Sequence, residues 1–335
     1  MPNIKDVAAL AGVSVTTVSR VLNKRGYISK EVYAKVYDAM ERLDYQPNQL
    51  ARSLFSQKTN CVGVLIPDIS HPFFAEIVKM IEEKLNECGY RIFLCNAVGD
   101  GIKEQEYLSM LRQNKVDGII IATHMLETSL YESIDLPIVA LDLELGQNIP
   151  TVCADHEKGG YLAAQELIRS GCKCVLNIGG NMDVKTPSVR RYRACELMLQ
   201  EAGIDCISVC LEQEFNRQTY QPEIERLLKK YPQVDGLFST DLIAINAMKV
   251  LHMQGVRIPD AFSIVGYDGV EISSLCTPTL THVRQPLRKI ADECVQTLVR
   301  KMQGERQADH VVLLDVELVH GGTTRQPEAM EQAKA

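Results

Sequence analysis

IKDVAALAGVSVTTVSRVLN, residues 4–23, is the stretch from which the rest of the chain is read. Ile4, Val7, Ala8 and Ala11 share one face of a first helix, and Gly12 stops it. Ser14 can cap a second helix that buries Val18, Val21 and Leu22 and turns Val15, Thr16, Ser19 and Arg20 outward. Gly26 breaks that helix, and Ser29 caps a third whose apolar stripe is Val32, Val36, Met40 and Leu43. Two short helices joined by a tight glycine turn, with a third in support, form the helix-turn-helix pattern. A second helix of this size fits the DNA major groove. There Arg20 would offer two donors to guanine, Thr16 a hydroxyl and a methyl, and Val15 an apolar contact. Ser14, Thr17, Ser19 and Asn23 suit phosphate oxygens, which fix register. A small helical protein-docking domain has the same pattern, so by itself it leaves both readings open.

Charge divides the chain. Residues 1–60 hold nine Lys/Arg against five Asp/Glu, whereas residues 61–335 hold 27 against 38. A basic unit on an acidic body points to a polyanion met by the N-terminal part alone. The 11 cysteines are odd in number and lack framework spacing, so they read as small buried hydrophobes. No histidine pair stands at zinc-finger spacing, and no metal site is expected. No apolar run approaches the roughly 18 residues of a membrane span, and the N-terminus lacks a signal-peptide pattern. A cytoplasmic protein is expected.

From Cys61 onward, apolar runs alternate with helical stretches rich in Glu, Lys and Leu. CVGVLI, RIFLCN, DGIIIA and PIVALD are one set of strand candidates; KCVLNIG, CISVCL, DGLFST and FSIVGYD are a second. This alternation predicts an α/β core of two doubly wound lobes, each a parallel sheet covered on both faces. Ligands of such sheets bind beyond the carboxyl ends of the strands. Asp68, Asp142, Asp241 and Asp268 end strand candidates and could bond sugar hydroxyls. Each is equally readable as a helix cap or turn residue.

IKDVAALAGVSVTTVSRVLN followed by YQPNQLARSL closely resembles the N-terminal region of the lac/galactose repressor (LacI/GalR) family of bacterial transcriptional regulators. VGVLIPDISHPFFAEIV, VDGIIIA, SIVGYD and TPTLTHVRQP resemble that family's ligand-binding core in the same order, so the likeness spans nearly the whole chain. It implies a homodimer on a pseudo-palindromic operator, two core lobes like those of periplasmic sugar-binding proteins, and a small-molecule effector between them. It implies a hinge that folds on operator DNA and enters the minor groove. By position Leu54 is then the wedge at the central step, Asn48 and Ala51 lie in the groove, and Arg52 meets phosphate. For the effector it implies Phe73, Phe74 and Phe215 as aromatic contacts, Arg191 as the effector-binding arginine, and Asp142 and Asp268 as acids. Thr240 and Asp241 stand where the family often has Asn-Asp, Gly269 where it has a second acid, and Ala194 where a glycine is common. Lys185 and Arg190 add charge nearby, which leaves a phosphorylated or acidic sugar open.

The expected division is 1–46 helix-turn-helix domain, 47–60 hinge, 61–154 plus 286–314 first lobe, 155–285 plus 315–325 second lobe, and 326–335 tail. The tail has no leucine heptads, so a dimer is expected. A sequence-specific repressor of a carbohydrate operon is the leading functional expectation. A purine or phosphoprotein corepressor, or a sugar-processing enzyme fused to a DNA-binding domain, are the alternatives. No GxGxxG, P-loop, GxSxG or HExxH motif occurs, so neither enzyme activity nor a cofactor is expected.

Overall fold

The computed structural model describes residues 2–22, 26–45, 58–97, 100–123, 126–180, 186–211, 217–305 and 310–325. The chain forms two compact units, Met1–Thr59 and Asn60–Ala335.

In the first unit, helix α1 (Ile4–Ala11) opens on a reciprocal cap. The Asn3 side chain accepts from the Lys5 amide, and the Asp6 carboxylate accepts from the Asn3 amide, each at 2.8 Å. Gly12 ends it at φ 66°, a left-handed conformation that glycine adopts without a Cβ clash. Helix α2 (Val15–Leu22) starts where Ser14 Oγ accepts from the Thr17 amide at 3.1 Å. Helix α3 (Lys30–Arg42) is capped by Ser29, whose side chain accepts from the Val32 amide. Val7, Ala8, Ala11, Val18, Val21, Val36 and Ala39 form the core of this unit.

The second unit holds two sheets. Strands β1 (Cys61–Ile66), β2 (Arg91–Asn96), β3 (Gly118–Ile121), β4 (Ile138–Leu141), β5 (Thr151–Ala154) and β11 (Val311–Leu314) form the first, in the order β11-β5-β4-β3-β1-β2 and parallel throughout. Strands β6 (Cys174–Gly179), β7 (Asp205–Cys210), β8 (Gly236–Phe238), β9 (Ser263–Asp268), β10 (Thr281–Arg284) and β12 (Glu317–Val319) form the second, in the order β12-β10-β9-β8-β6-β7, with β12 alone antiparallel. The two lobes therefore share one winding, as the alternation of strand and helix predicts. β1, β3, β4, β6 and β9 are buried almost end to end, which requires apolar residues on both strand faces. The edge strands β2 and β7 expose residues and are correspondingly mixed.

The covering helices are α4 (Pro72–Glu87), α5 (Gly101–Gln113), α6 (Thr128–Glu132), α7 (His156–Arg169), α8 (Val189–Glu201), α9 (Arg217–Lys230), α10 (Asp241–Met253), α11 (Ile272–Leu275) and α12 (Leu287–Met302). Helix α12 packs on α4 and on β3 to β5, while α7 packs on α8, β9 and β10. The chain thus leaves the first lobe after β5, returns to it in α12, and crosses once more between β11 and β12. One apolar cluster runs through both lobes, from Val62, Ile66 and Ile77 to Val175, Tyr192 and Tyr267.

Of the cysteines, Cys95, Cys153, Cys172, Cys174, Cys195 and Cys294 are buried as expected, whereas Cys88 and Cys210 are exposed. Burial pushes the Cys153 and Cys172 thiols up to about 12, which keeps them unreactive.

The contact of α7 with α8 is the tightest in the second lobe. A Cβ on Gly160 would sit 2.1 Å from the Arg191 carbonyl oxygen, a backbone atom that cannot swing aside. Gly160→Ala is expected to destabilise the second unit by about 1–3 kcal/mol, the usual range for overpacking. Thermal unfolding reads this, and a parent-like midpoint would show that the two helices can part freely.

Candidate functional site

Two candidate surfaces emerge, one in each unit. In the N-terminal unit, burying Val18 and Val21 turns the opposite face of α2 outward. Val15 is 40% exposed, Thr16 and Arg20 are exposed, and Thr17 and Ser19 are half-buried. Ser14 and Thr17 bond one another at 2.8 Å, so their hydroxyls cap the helix as well as facing outward. Asn23, Asn48, Ala51, Arg52 and Leu54 lie outside the described residues.

In the second unit, the site candidates gather at the carboxyl ends of the strands. Asp142 follows β4, Arg191 lies in the first turn of α8 after β6, Thr240 and Asp241 follow β8, and Asp268 ends β9. Phe73 and Phe74 open α4 just after β1 and meet edge-on, 5.1 Å apart. Lys185 and Phe215 lie outside the described residues.

Arg191 is the centre of this arrangement. Its guanidinium lies 4.4 Å from the Tyr267 ring centroid and 4.8 Å from that of Tyr192. It donates to the Tyr192 hydroxyl at 3.1 Å and stands 4.0 Å from the Asp268 carboxylate. A cation buried in the first turn of a helix is unfavourable on two counts, desolvation and the local dipole. Burial does oppose the charge, but Tyr192, Asp268 and Tyr267 more than offset it. Its Nε–H is buried and has no acceptor among the described residues.

Each carboxylate has its own task. Asp268 accepts from the Gln285 amide at 2.9 Å and takes φ 121°, a conformation that L-residues rarely adopt. Asp142 sits at φ 58° and bonds His156 Nε2 at 2.6 Å. Burial pushes its carboxyl up, but His156, Arg191 and Arg190 outweigh this and leave it below its ordinary value. Asp241 instead accepts from the Gly269 and Val270 amides at 2.8 and 3.0 Å, pinning the loop after β9. Burial, and after it the like charge of Asp268, holds the Asp241 carboxyl well above its ordinary value. Thr240 is buried beside it as the residue preceding α10. Asp68 accepts from the amide and hydroxyl of Ser70 and acts as a turn residue.

Sequence reasoning passed over His156, Tyr267, Tyr192 and Gln285. His156 joins Asp142 to the Tyr267 hydroxyl, which lies 2.9 Å from Nδ1. The available signals were the tyrosine beside Asp268 and the histidine opening α7, both at strand ends. Among the described residues, the exposed Arg190–Glu144 ion pair and the Glu271 amide, donating to Glu76 at 2.8 Å, also cross between the lobes. Among the described residues, no group of three His, Cys, Asp or Glu side chains could hold a metal ion. No helix among them is long and apolar enough to cross a membrane.

A two-lobed parallel-sheet core, with a polar cluster at its strand ends and a helix-turn-helix unit ahead of it, is the build of a ligand-responsive DNA-binding regulator. Residues 3–48 match the family of bacterial regulatory proteins of the LacI type, and residues 59–320 match the periplasmic binding proteins and sugar binding domain of the LacI family. The chain belongs to the LacI family and is a transcriptional regulator rather than an enzyme. The ribose operon repressor of Halalkalibacterium halodurans is 38% identical over 334 residues, covering 99% of this chain and 100% of that protein. The sucrose operon repressor of Streptococcus mutans is also 38% identical, covering 89% of this chain and 92% of that protein. The lac repressor dimer bound to operator and the anti-inducer ONPF superposes with a TM-score of 0.85 at 25% identity, covering 96% of this chain and 99% of that one.

Asp241 generates a pH prediction. A carboxyl held up in the folded state stabilises the fold at low pH, and that contribution is lost as pH rises. Asp241→Asn keeps an acceptor for the Gly269 and Val270 amides and cannot ionise. Its melting temperature relative to the parent is expected to climb as pH rises above the ordinary aspartate value of about 3.9. A difference that stays constant with pH would show that Asp241 is not held up.

Proposed function

We propose that this protein is a cytoplasmic repressor of a carbohydrate-utilisation operon, binding a pseudo-palindromic operator as a homodimer and responding to a neutral sugar between the core lobes. The observation that carries the effector reading is the buried Nε–H of Arg191, which lacks an acceptor among the described residues. Leaving such a donor unsatisfied costs about 1–3 kcal/mol or more, which a ligand hydroxyl oxygen would recover. Asp142 and Asp268 flank it as acceptors for hydroxyl donors. Phe73 and Phe74 are the candidate apolar contacts, and Thr240 a further hydroxyl contact; Asp241 acts by holding the loop behind Asp268. Lys185 and Phe215 join the proposal on the family resemblance alone.

Charge favours a neutral ligand. Arg191 faces Asp268, and Arg190 is paired with Glu144, so neither cation is uncommitted. A phosphate would have to compete with Glu144 for Arg190 and with Asp268 for Arg191, which opposes the reading of Arg190 as a contact for an acidic sugar. The names of the ribose and sucrose operon repressors support a sugar of one or two rings.

For DNA, the exposed face of α2 supports base contacts from Val15, Thr16 and Arg20, and phosphate contacts from Ser14, Thr17 and Ser19, with Asn23 added on its place in the sequence alone. We carry residues 47–60 as the hinge, with Asn48, Ala51, Arg52 and Leu54 its DNA contacts.

Thermal-shift titration of the purified chain with D-ribose and with sucrose tests the effector reading, because a ligand that binds only the folded state raises its melting point. One of the two sugars is expected to do so in the parent and to fail in Arg191→Ala. A rise that survives Arg191→Ala would move the site elsewhere. Arg20→Ala is expected to lose about 1–3 kcal/mol of preference at one operator position in binding titrations. Uniform weakening across sequences would make Arg20 a phosphate contact instead.

A further inference from the structure

Among the described residues of the polar cluster, His156 bonds to side chains of both lobes. Its Nε2 lies 2.6 Å from Asp142 Oδ1, beyond the end of first-lobe strand β4, and its Nδ1 lies 2.9 Å from the Tyr267 hydroxyl on second-lobe strand β9. Its ring stacks on Tyr267, with centroids 5.6 Å apart and planes 27° from parallel. The Tyr267 ring also carries the Arg191 guanidinium at 4.4 Å. The packing leaves this row little slack. A Cβ on Gly159, in the first turn of α7 beside His156, would lie 2.6 Å from the Tyr267 ring and 2.7 Å from its hydroxyl.

We infer that His156 is a positioning residue for effector binding: it ties Asp142 of the first lobe to Tyr267 of the second and so sets the height of Arg191 above the Tyr267 ring. The inference rests on the reading of the cluster as the effector site. The proton arrangement follows from the partners. An ionised carboxylate only accepts, so Nε2 carries a hydrogen toward Asp142. Nδ1 and the Tyr267 hydroxyl share the second hydrogen bond, as acceptor and donor when the ring is neutral. Burial keeps that phenol protonated, so the donor is retained. The row runs Tyr267 to His156 to Asp142 in one direction, and breaking either bond releases the other end. Arg190–Glu144 also joins the lobes but is exposed on both sides and is a weak tie.

A simple structural bolt would raise the melting point and leave sugar affinity unchanged, so affinity is the discriminating readout. Calorimetric titration of D-ribose and sucrose into the full chain is carried out on the parent, His156→Ala, Tyr267→Phe and the double variant. For the sugar that binds the parent, His156→Ala is expected to weaken binding by about tenfold and Tyr267→Phe by several-fold, with the double variant no weaker than His156→Ala alone, since coupled residues do not add. Parent-like affinity in His156→Ala, or losses that multiply, would overturn the inference and leave the effector site standing. If neither sugar binds the parent, the reading of the site fails for both, and this inference falls with it. Should His156→Ala not fold, His156→Asn carries the test. It can reach Tyr267 but not Asp142, so weaker binding at a parent-like melting point supports the coupling, and parent-like binding overturns it.

Discussion

Burying the Arg191 guanidinium is the constraint from which the rest of the core follows. A desolvated cation in the first turn of a helix persists only where opposing groups are built around it, and here those groups come from one strand and from the helix itself. Tyr267 supplies a ring from β9, Asp268 a carboxylate from the end of the same strand, and Tyr192 a ring and hydroxyl from α8 itself. Gln285, just beyond β10, orients the carboxylate, and Asp241, opening α10, holds the loop that follows it. The arrangement satisfies the charge but, among the described residues, leaves the Arg191 Nε–H without an acceptor, the feature on which we propose it as a binding site.

The same cluster also explains why the lobes can respond to a ligand together. The two sheets share one winding and are joined by crossovers, so their strand ends face a common space only through side chains that span it. Asp142 and His156 make the buried span, while Arg190–Glu144 and the Glu271 amide on Glu76 make spans nearer solvent. A ligand that reads Arg191 and Asp142 together would favour one lobe angle over another, and only such a difference in affinity can shift a conformational equilibrium.

Much of this organisation was legible in the sequence. The helix-turn-helix unit follows from apolar spacing and from Gly12, Ser14 and Ser29, each of which has the terminating or capping role expected of it. The long strands announce themselves as apolar runs, since a strand buried on both faces needs such a run. Strands β5, β10 and β11 were absent from the strand candidates, although β3, β4 and β8 are no longer than they are. The carboxylates were visible as a set but not by role: Asp68 closes a turn and Asp241 pins a loop, and both look like Asp142 and Asp268 in a string of letters. His156 was missed because its partners lie 14 and 111 residues away and meet only through the topology.

The central claim is that sugar held by this buried cluster alters how the N-terminal unit binds operator. Anisotropy of a labelled operator duplex, titrated with the full chain with and without the sugar that raises its melting point, measures it most directly. The parent is expected to change its operator affinity by roughly 5- to 150-fold on saturation, the usual range for allosteric coupling, and Arg191→Ala to show no change. An operator affinity in the parent that sugar leaves untouched, while the same sugar still raises the melting point, would contradict the account.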